Sequence, residues 1–206
     1  MDLITKYFPN LSIEQENQFD ALERLYRDWN AKINVISRKD IDNLYEHHVL
    51  HSLAIAKNIN FKTNTKILDF GTGGGFPGIP LAIYFPNCYF RLIDGTGKKI
   101  TVATEIAKAI GLKNVEILHK RGEEEKGKFD FVVSRAVMPM MDLVKIVRKN
   151  ISREQHNALP NGILTLKGGN LSEELSPFKQ KADVVPISLF FKEEWFKEKN
   201  IIYLPI

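Results

Sequence analysis

Three observations predict an α/β fold. Short apolar runs alternate with helical patterns after about residue 62. The first of those runs ends in a glycine-rich turn. Two strand-like runs, 184–191 and 200–204, close the sequence with only a short polar piece between them. The expected architecture is a mostly parallel, Rossmann-like sheet covered on both faces, ending in an antiparallel hairpin and preceded by an N-terminal helical extension. The extension is placed at residues 1–60 and the α/β domain at 61–206.

In the extension, Ser12 and Gln15 have the spacing of a capping box. Phe19, Leu22, Leu25, Tyr26 and Trp29 then recur at helical intervals. Asp40 offers a second cap, before Ile41, Leu44, Tyr45, Leu50 and Leu53. A two-helix unit with a polar connection near 33–39 follows. Strands are expected at 67–70, 88–94, 115–118, 129–134 and 162–167, and helices at 77–85, 98–110 and 139–149. Prolines are tolerated in the first turn of the first of these helices, and Gly111 closes the second. The two terminal runs are expected to pair antiparallel, because a parallel crossover needs about a dozen residues or more.

Composition narrows the class. The 206 residues suit one domain with an appendage, and 44% hydrophobic residues suffice for a sizeable core. The single cysteine, Cys88, lies in an apolar run; it reads as a buried inert thiol, and a disulfide framework or cysteine-based metal site is excluded. No run reaches about 18 apolar residues, and no basic start precedes a long apolar run, so a cytoplasmic protein without a membrane span is expected. The net charge is +4, and the window 91–121, with seven bases and three acids, carries all of that excess. A local basic field attracts phosphate backbones, although a solvated lysine-rich face has the same composition.

The sharpest feature is Asp69-Phe-Gly71-Thr-Gly73-Gly-Gly75-Phe76-Pro-Gly78. Glycines let a backbone approach a ligand closely, and a helix N-terminus presents free N–H groups. A mononucleotide P-loop needs Gly-Lys-Ser/Thr, which is missing. A dinucleotide fingerprint, G-x-G-x-x-G, fits Gly71 and Gly73 but meets Phe76 at its third glycine. The looser acid-x-G-x-G-x-G of methyltransferases fits fully, with Asp69 placed to meet a methionine ammonium or a loop amide. Asp94, 23 residues after Gly71, closes the second strand where an acid can accept both ribose hydroxyls of an adenine nucleoside. These features point to a class I (Rossmann-like) S-adenosylmethionine-dependent methyltransferase fold. An NAD-binding oxidoreductase or a small-molecule methyltransferase stands as the alternative.

The string 69–81, with Ser134-Arg135-Ala136, Leu166-Lys167-Gly168, Trp29-Asn-x-x-x-Asn34 and His47-His-x-x-x-Ser52, resembles the bacterial small-subunit ribosomal RNA methyltransferase G family, also known as glucose-inhibited division protein B. The resemblance covers nearly the whole chain. It implies methyl transfer from S-adenosyl-L-methionine to N7 of a guanine in 16S rRNA, on the RNA or a small ribosomal subunit, in the cytoplasm. It also implies cofactor contacts at Gly71, Phe76, Gly122, Glu123 and Arg135; Gly73 and Asp94 join them from the loop reading. The chain departs from the family at Asp94-Gly-Thr-Gly-Lys98, where Asp-Ser-x-Gly-Lys is commoner, and at Gly122, where a small apolar residue is frequent.

Guanine N7 carries a lone pair and no proton. No general base is required, and no catalytic triad is expected. Arg135 ends the fourth strand at the carboxyl edge of the sheet, where open α/β ligands bind. Glu123 accepts from adenine, supports the loop, or is one of the acidic run 123–125. His47 and His51 stand one helical turn apart, but two ligands do not make a zinc site, so no metal is expected. An RNA contact or a packed helix suits the histidines better. Lys167 binds phosphate or is an ordinary strand-end lysine, and Met138–Met141 reads as helix core.

Overall fold

The computed structural model describes residues 1–135 and 137–206. Seven strands form one sheet: β1 (Lys66–Phe70), β2 (Tyr89–Asp94), β3 (Val115–His119), β4 (Phe131–Arg135), β5 (Gly162–Gly168), β6 (Asp183–Pro186) and β7 (Lys199–Pro205). Their spatial order is β3-β2-β1-β4-β5-β7-β6. The first five run parallel, and β7 pairs antiparallel with both β5 and β6. The order reverses between β1 and β4, so the loops leaving these two strands diverge and open a crevice at their carboxyl ends.

Both faces of the sheet are covered, and successive residues of a strand serve different cores. Leu68 and Val132 point into one with Leu143 and Val147 of α6 (Met140–Val147). Ile67, Phe131 and Val133 point into the other. That second core is shared by α4 (Gly78–Tyr84), α5 (Gly97–Ala109) and the N-terminal helices α1 (Asp2–Tyr7), α2 (Ile13–Asn30) and α3 (His51–Asn58). Strands buried on both faces read as continuous apolar runs, as 67–70 and 131–133 do. One further short helix, α7 (Ser172–Leu175), packs beside α6.

The Ser12–Gln15 capping box is present, with Gln15 N donating to Ser12 Oγ at 3.2 Å and Ser12 N to Gln15 Oε1 at 2.9 Å. The Gln15 amide also donates to the carbonyls of Ile83 and Tyr84. One side chain thus both starts α2 and docks it on the end of α4.

Three expectations need correction. The N-terminal segment is not a two-helix unit: α1 precedes α2, and the stretch after Asp40 is a 3₁₀ turn (Ile41–Asn43), a π-helical segment (Leu44–Leu50) and then α3. Asp40 makes no side-chain cap; its carboxylate is drawn to His47 and His48, which tertiary packing brings within 2.5 and 2.6 Å. Of the run 184–191 only residues up to Pro186 are strand. Ile187–Leu189 turn as a 3₁₀ helix, and 187–198 is no short polar link, because Ile187, Phe191 and Phe196 are fully buried against the N-terminal helices. A short connection is therefore not what makes the last pair antiparallel; the pairing is set by β7 filling the place between β5 and β6.

Candidate cofactor site

The loop after β1 is a tight turn built on positive φ. Gly71, Gly73 and Gly75 have φ of +69°, +58° and +110°, a region where side chains are strained. Gly71 N and Thr72 N both donate to Ile93 O of β2, and Gly75 N and Phe76 N both donate to Thr72 O. A Cβ on Gly75 would lie 2.4 Å from Ile79 Cδ1, whereas one on Gly73 would meet nothing within 4 Å. Gly73 is therefore the glycine that faces open space.

Asp69 is fully buried beneath this turn. Its Oδ2 accepts from Thr72 Oγ1 at 2.5 Å and from Gly78 N at 2.8 Å. Of its two expected partners it therefore meets the loop amide. The amide at the start of α4, expected to be free for a ligand, is turned inward onto this carboxylate. Asp69 Oδ1 is buried with no hydrogen-bond partner among the described residues. Burial pushes the carboxyl up to about 7, against the two bonds that favour its charged form.

Asp94 is joined to the same loop. Its Oδ2 accepts from Gly73 N at 2.9 Å and its Oδ1 from Thr96 N at 2.7 Å. Each oxygen keeps a second lone pair, so the carboxylate can still receive a diol. Beyond β3, Gly122–Glu124 form a 3₁₀ turn against β1. A Cβ on Gly122 would stand 1.9 Å from Cε2 of Phe70, so the aromatic ring fills the volume a larger residue 122 would occupy. Glycine at 122 is thus required by Phe70. Glu123 has an exposed side chain, and its carbonyl accepts from Lys149 Nζ. The buried acid of this run is Glu125, which pairs with Arg91 and Lys120, each at 3.1 Å.

Arg135, at the end of β4, stacks its guanidinium 5.1 Å from the centre of the Phe76 ring. Phe76 stacks in turn on Tyr26 of α2 at 4.7 Å, and Tyr26 Oη donates to Gly74 O at 2.8 Å. Burial lowers Arg135 to about 10, and it remains charged near neutrality. Ala136 of the expected Ser-Arg-Ala motif lies outside the described residues. Tyr26 was legible only as helix core; nothing in its periodic position signals a hydrogen bond to the glycine loop. The basic window is partly spent: Arg91 and Lys120 are neutralised by Glu116 and Glu125. Lys98 and Arg121 are exposed, and Arg121 lies beside Gly95, next to Asp94. Lys167 is a strand-end residue that pairs with Glu174 at 2.7 Å and donates to Met138 O. Cys88 is buried and raised to about 11 by that burial, as an inert thiol should be. His47 and His51 both pack on Trp195. Among the described residues no group of three or more His, Cys, Asp or Glu is placed to hold a metal, and no helix is long and apolar enough to cross a membrane.

The family model described as rRNA small subunit methyltransferase G matches residues 15–200. The chain belongs to that family. A protein named ribosomal RNA small subunit methyltransferase G from Phocaeicola vulgatus is 66% identical over 100% of this chain and 99% of its own. One of the same name from Porphyromonas gingivalis is 58% identical over 100% and 93%. The fold is shared with a SAM-dependent methyltransferase from Aquifex aeolicus, at a TM-score of 0.58 and 16% identity over 82% of this chain and 98% of that one. A structure of MtNAS with S-adenosylmethionine gives a TM-score of 0.59 at 12% identity, over 93% and 76%. Membership in the methyltransferase G family sets aside the oxidoreductase and small-molecule readings.

Proposed function

We propose that the protein transfers a methyl group from S-adenosyl-L-methionine to N7 of a guanine in 16S rRNA, acting in the cytoplasm on a small ribosomal subunit or its assembly intermediate. The observation that carries the reading is the convergence of Gly73, Asp94, Gly122 and Arg135 at the carboxyl ends of adjacent strands β4, β1, β2 and β3. These residues suit an adenosine-bearing ligand. Gly73 faces open space, Asp94 offers a carboxylate for ribose hydroxyls, and Gly122 keeps its turn flush against Phe70. Gly71, Phe76 and Glu123 complete the assigned set. Asp69 Oδ1, buried and without a partner among the described residues, leaves one acceptor for a cationic group.

The cofactor supplies an electrophilic methyl on a sulfonium. The guanine N7 lone pair needs no deprotonation, and accordingly the work of the chain is alignment. The glycine turn fixes the ligand end, and Arg135 puts a positive charge at the β1–β4 crevice. Residues 1–60 act as an extension that braces the loop through Tyr26 and α4 through Gln15, while 61–206 hold the cofactor.

Small subunits lacking the modification, incubated with the protein and radiolabelled S-adenosylmethionine, should acquire label in 7-methylguanosine at one site. Label in any other nucleoside, or none despite cofactor binding, would refute the assignment of reaction or substrate. RNA affinity should fall steeply with salt, and Lys98→Ala and Arg121→Ala should each reduce the log–log slope by about 1. A flat salt dependence would remove the exposed bases from the interface.

A further inference from the structure

Arg135 is a partly buried cation that, among the described residues, has no carboxylate within ion-pair distance. Its guanidinium is held instead from the N-terminal segment. Nη1 donates to His47 O at 3.3 Å, and Nη2 lies 3.0 Å from His48 Nδ1. We propose that Asp40 and His48 are positioning residues for cofactor binding: the Asp40 carboxylate fixes the tautomer of His48, and that ring aims Arg135 at the glycine turn. This rests on the assignment of Arg135 to the cofactor site.

The proton positions follow from donor and acceptor chemistry. A guanidinium has only N–H donors, so His48 Nδ1 must accept. The ring proton is then on Nε2, and Nε2 faces Asp40 Oδ2 at 2.6 Å. The second Asp40 oxygen takes His47 Nδ1 at 2.5 Å, and His47 carries the carbonyl that accepts from Arg135. One carboxylate therefore anchors both groups that hold the guanidinium. The opposite tautomer would set an imidazole N–H against a guanidinium N–H. A charged ring would do the same, and burial together with Arg135 lowers His48 to about 4. The rest of the surroundings are fixed. The His47 ring is stacked on Trp195 at 4.2 Å and 13°, and Lys199 Nζ lies 4.6 Å from the centre of the Trp195 ring. Burial would raise Asp40, yet the two histidine bonds hold it below its ordinary value, as expected of a carboxylate kept ionised for this purpose. Because Asp40 caps no helix, its conservative replacement leaves helix initiation untouched.

The test uses the full chain with S-adenosylhomocysteine as probe. Titration calorimetry of the parent, Asp40→Asn, Asp40→Glu and Arg135→Ala is combined with nitrogen NMR of the histidine rings. The parent should show His48 as the Nε2–H tautomer. Asp40→Asn should lose that fixed tautomer and raise Kd about tenfold to a hundredfold at unchanged stoichiometry, the size of one mis-set charge-assisted hydrogen bond. Asp40→Glu should recover part of the affinity. A Kd in Asp40→Asn equal to the parent's, beside a weakened Arg135→Ala, overturns the proposal, as does an Nδ1–H tautomer at His48. Lower stoichiometry at constant Kd marks a folding role and overturns it equally. If instead Arg135→Ala binds like the parent, the placement of Arg135 in the cofactor site is what fails.

Discussion

Gly122→Ala should unfold about 1–3 kcal/mol more easily than the parent, the usual cost of forcing extra volume into a packed site. It should also bind S-adenosylhomocysteine at least about tenfold more weakly, a loss of roughly 1.4 kcal/mol. The cause is geometric. The new Cβ would be 1.9 Å from Cε2 and 2.5 Å from Cζ of Phe70, and neither group has slack. Phe70 is only 6% exposed at the end of β1, and the 122–124 turn is tied down by Lys149 on its other side. Either the ring leaves its place or the turn lifts, and the turn is the part assigned to the ligand. Phe70→Leu removes the ring edge that collides. The Phe70→Leu/Gly122→Ala double variant should therefore be more stable than the sum of its single changes by about 1 kcal/mol. Urea unfolding of the four chains measures this coupling; additive effects would mean that Phe70 does not dictate the residue at 122.

Between about pH 4 and 6.5 the stability of the protein should rise with pH, by at most roughly 1.4 kcal/mol per unit, the equivalent of one proton. Three buried groups set the sign. Burial lowers His48 to about 4 and His51 well below its ordinary 6.5. In this window the unfolded chain protonates both histidines more readily than the folded chain does, which favours folding as pH rises. Asp69 opposes them. Its folded value of about 7 lies above its ordinary 3.8, so the folded chain keeps a proton that the unfolded chain has released. Two against one leaves a net slope toward greater stability at higher pH, and below pH 4 the carboxyls held low, Asp40 among them, add to acid loss. Replacing His51 by phenylalanine should flatten the slope almost to zero. His51 Nε2 has no hydrogen-bond partner among the described residues, and its ring packs edge-on against Trp195, a place a phenyl ring can take. Denaturant midpoints across pH check this, and a His51→Phe slope equal to the parent's would show that His51 is not the titrating group.

Features set by local sequence were legible in advance. The Ser12–Gln15 box, the strand runs and the glycine turn each follow from residues a few positions apart. The closing antiparallel pair was also legible, although by an argument about loop length that 187–198 does not obey. Contacts made by distant residues were not legible. Asp40 has the composition of a cap, and only packing of the π-helical segment reveals that its carboxylate serves two histidines. Tyr26 and Phe191 carry the same apolar signal as any core residue, yet one reaches the glycine loop and the other fills the connection to β7. Asp94 could be located but not its bond to Gly73, because the register of β1 on β2 is a property of the assembled sheet. The Phe70–Gly122 pair, 52 positions apart, leaves only an unexplained glycine in the sequence.

The position of β7 bears on how the molecule is made. This strand follows β5 and β6 in the chain but lies between them. During synthesis both neighbours emerge first; β5 can already pair with β4, but its other edge and the whole of β6 have no partner until residues 199–205 arrive. For that interval the edge of β5 that does not face β4 presents unpaired backbone, the kind of open edge that recruits other chains. Closure then adds β7, with β6 paired on its far side, to the rim that β5 leaves open. The nascent protein is therefore most prone to aggregate just before β7 is available, and holding factors that act on emerging chains have their strongest reason to engage it at that moment.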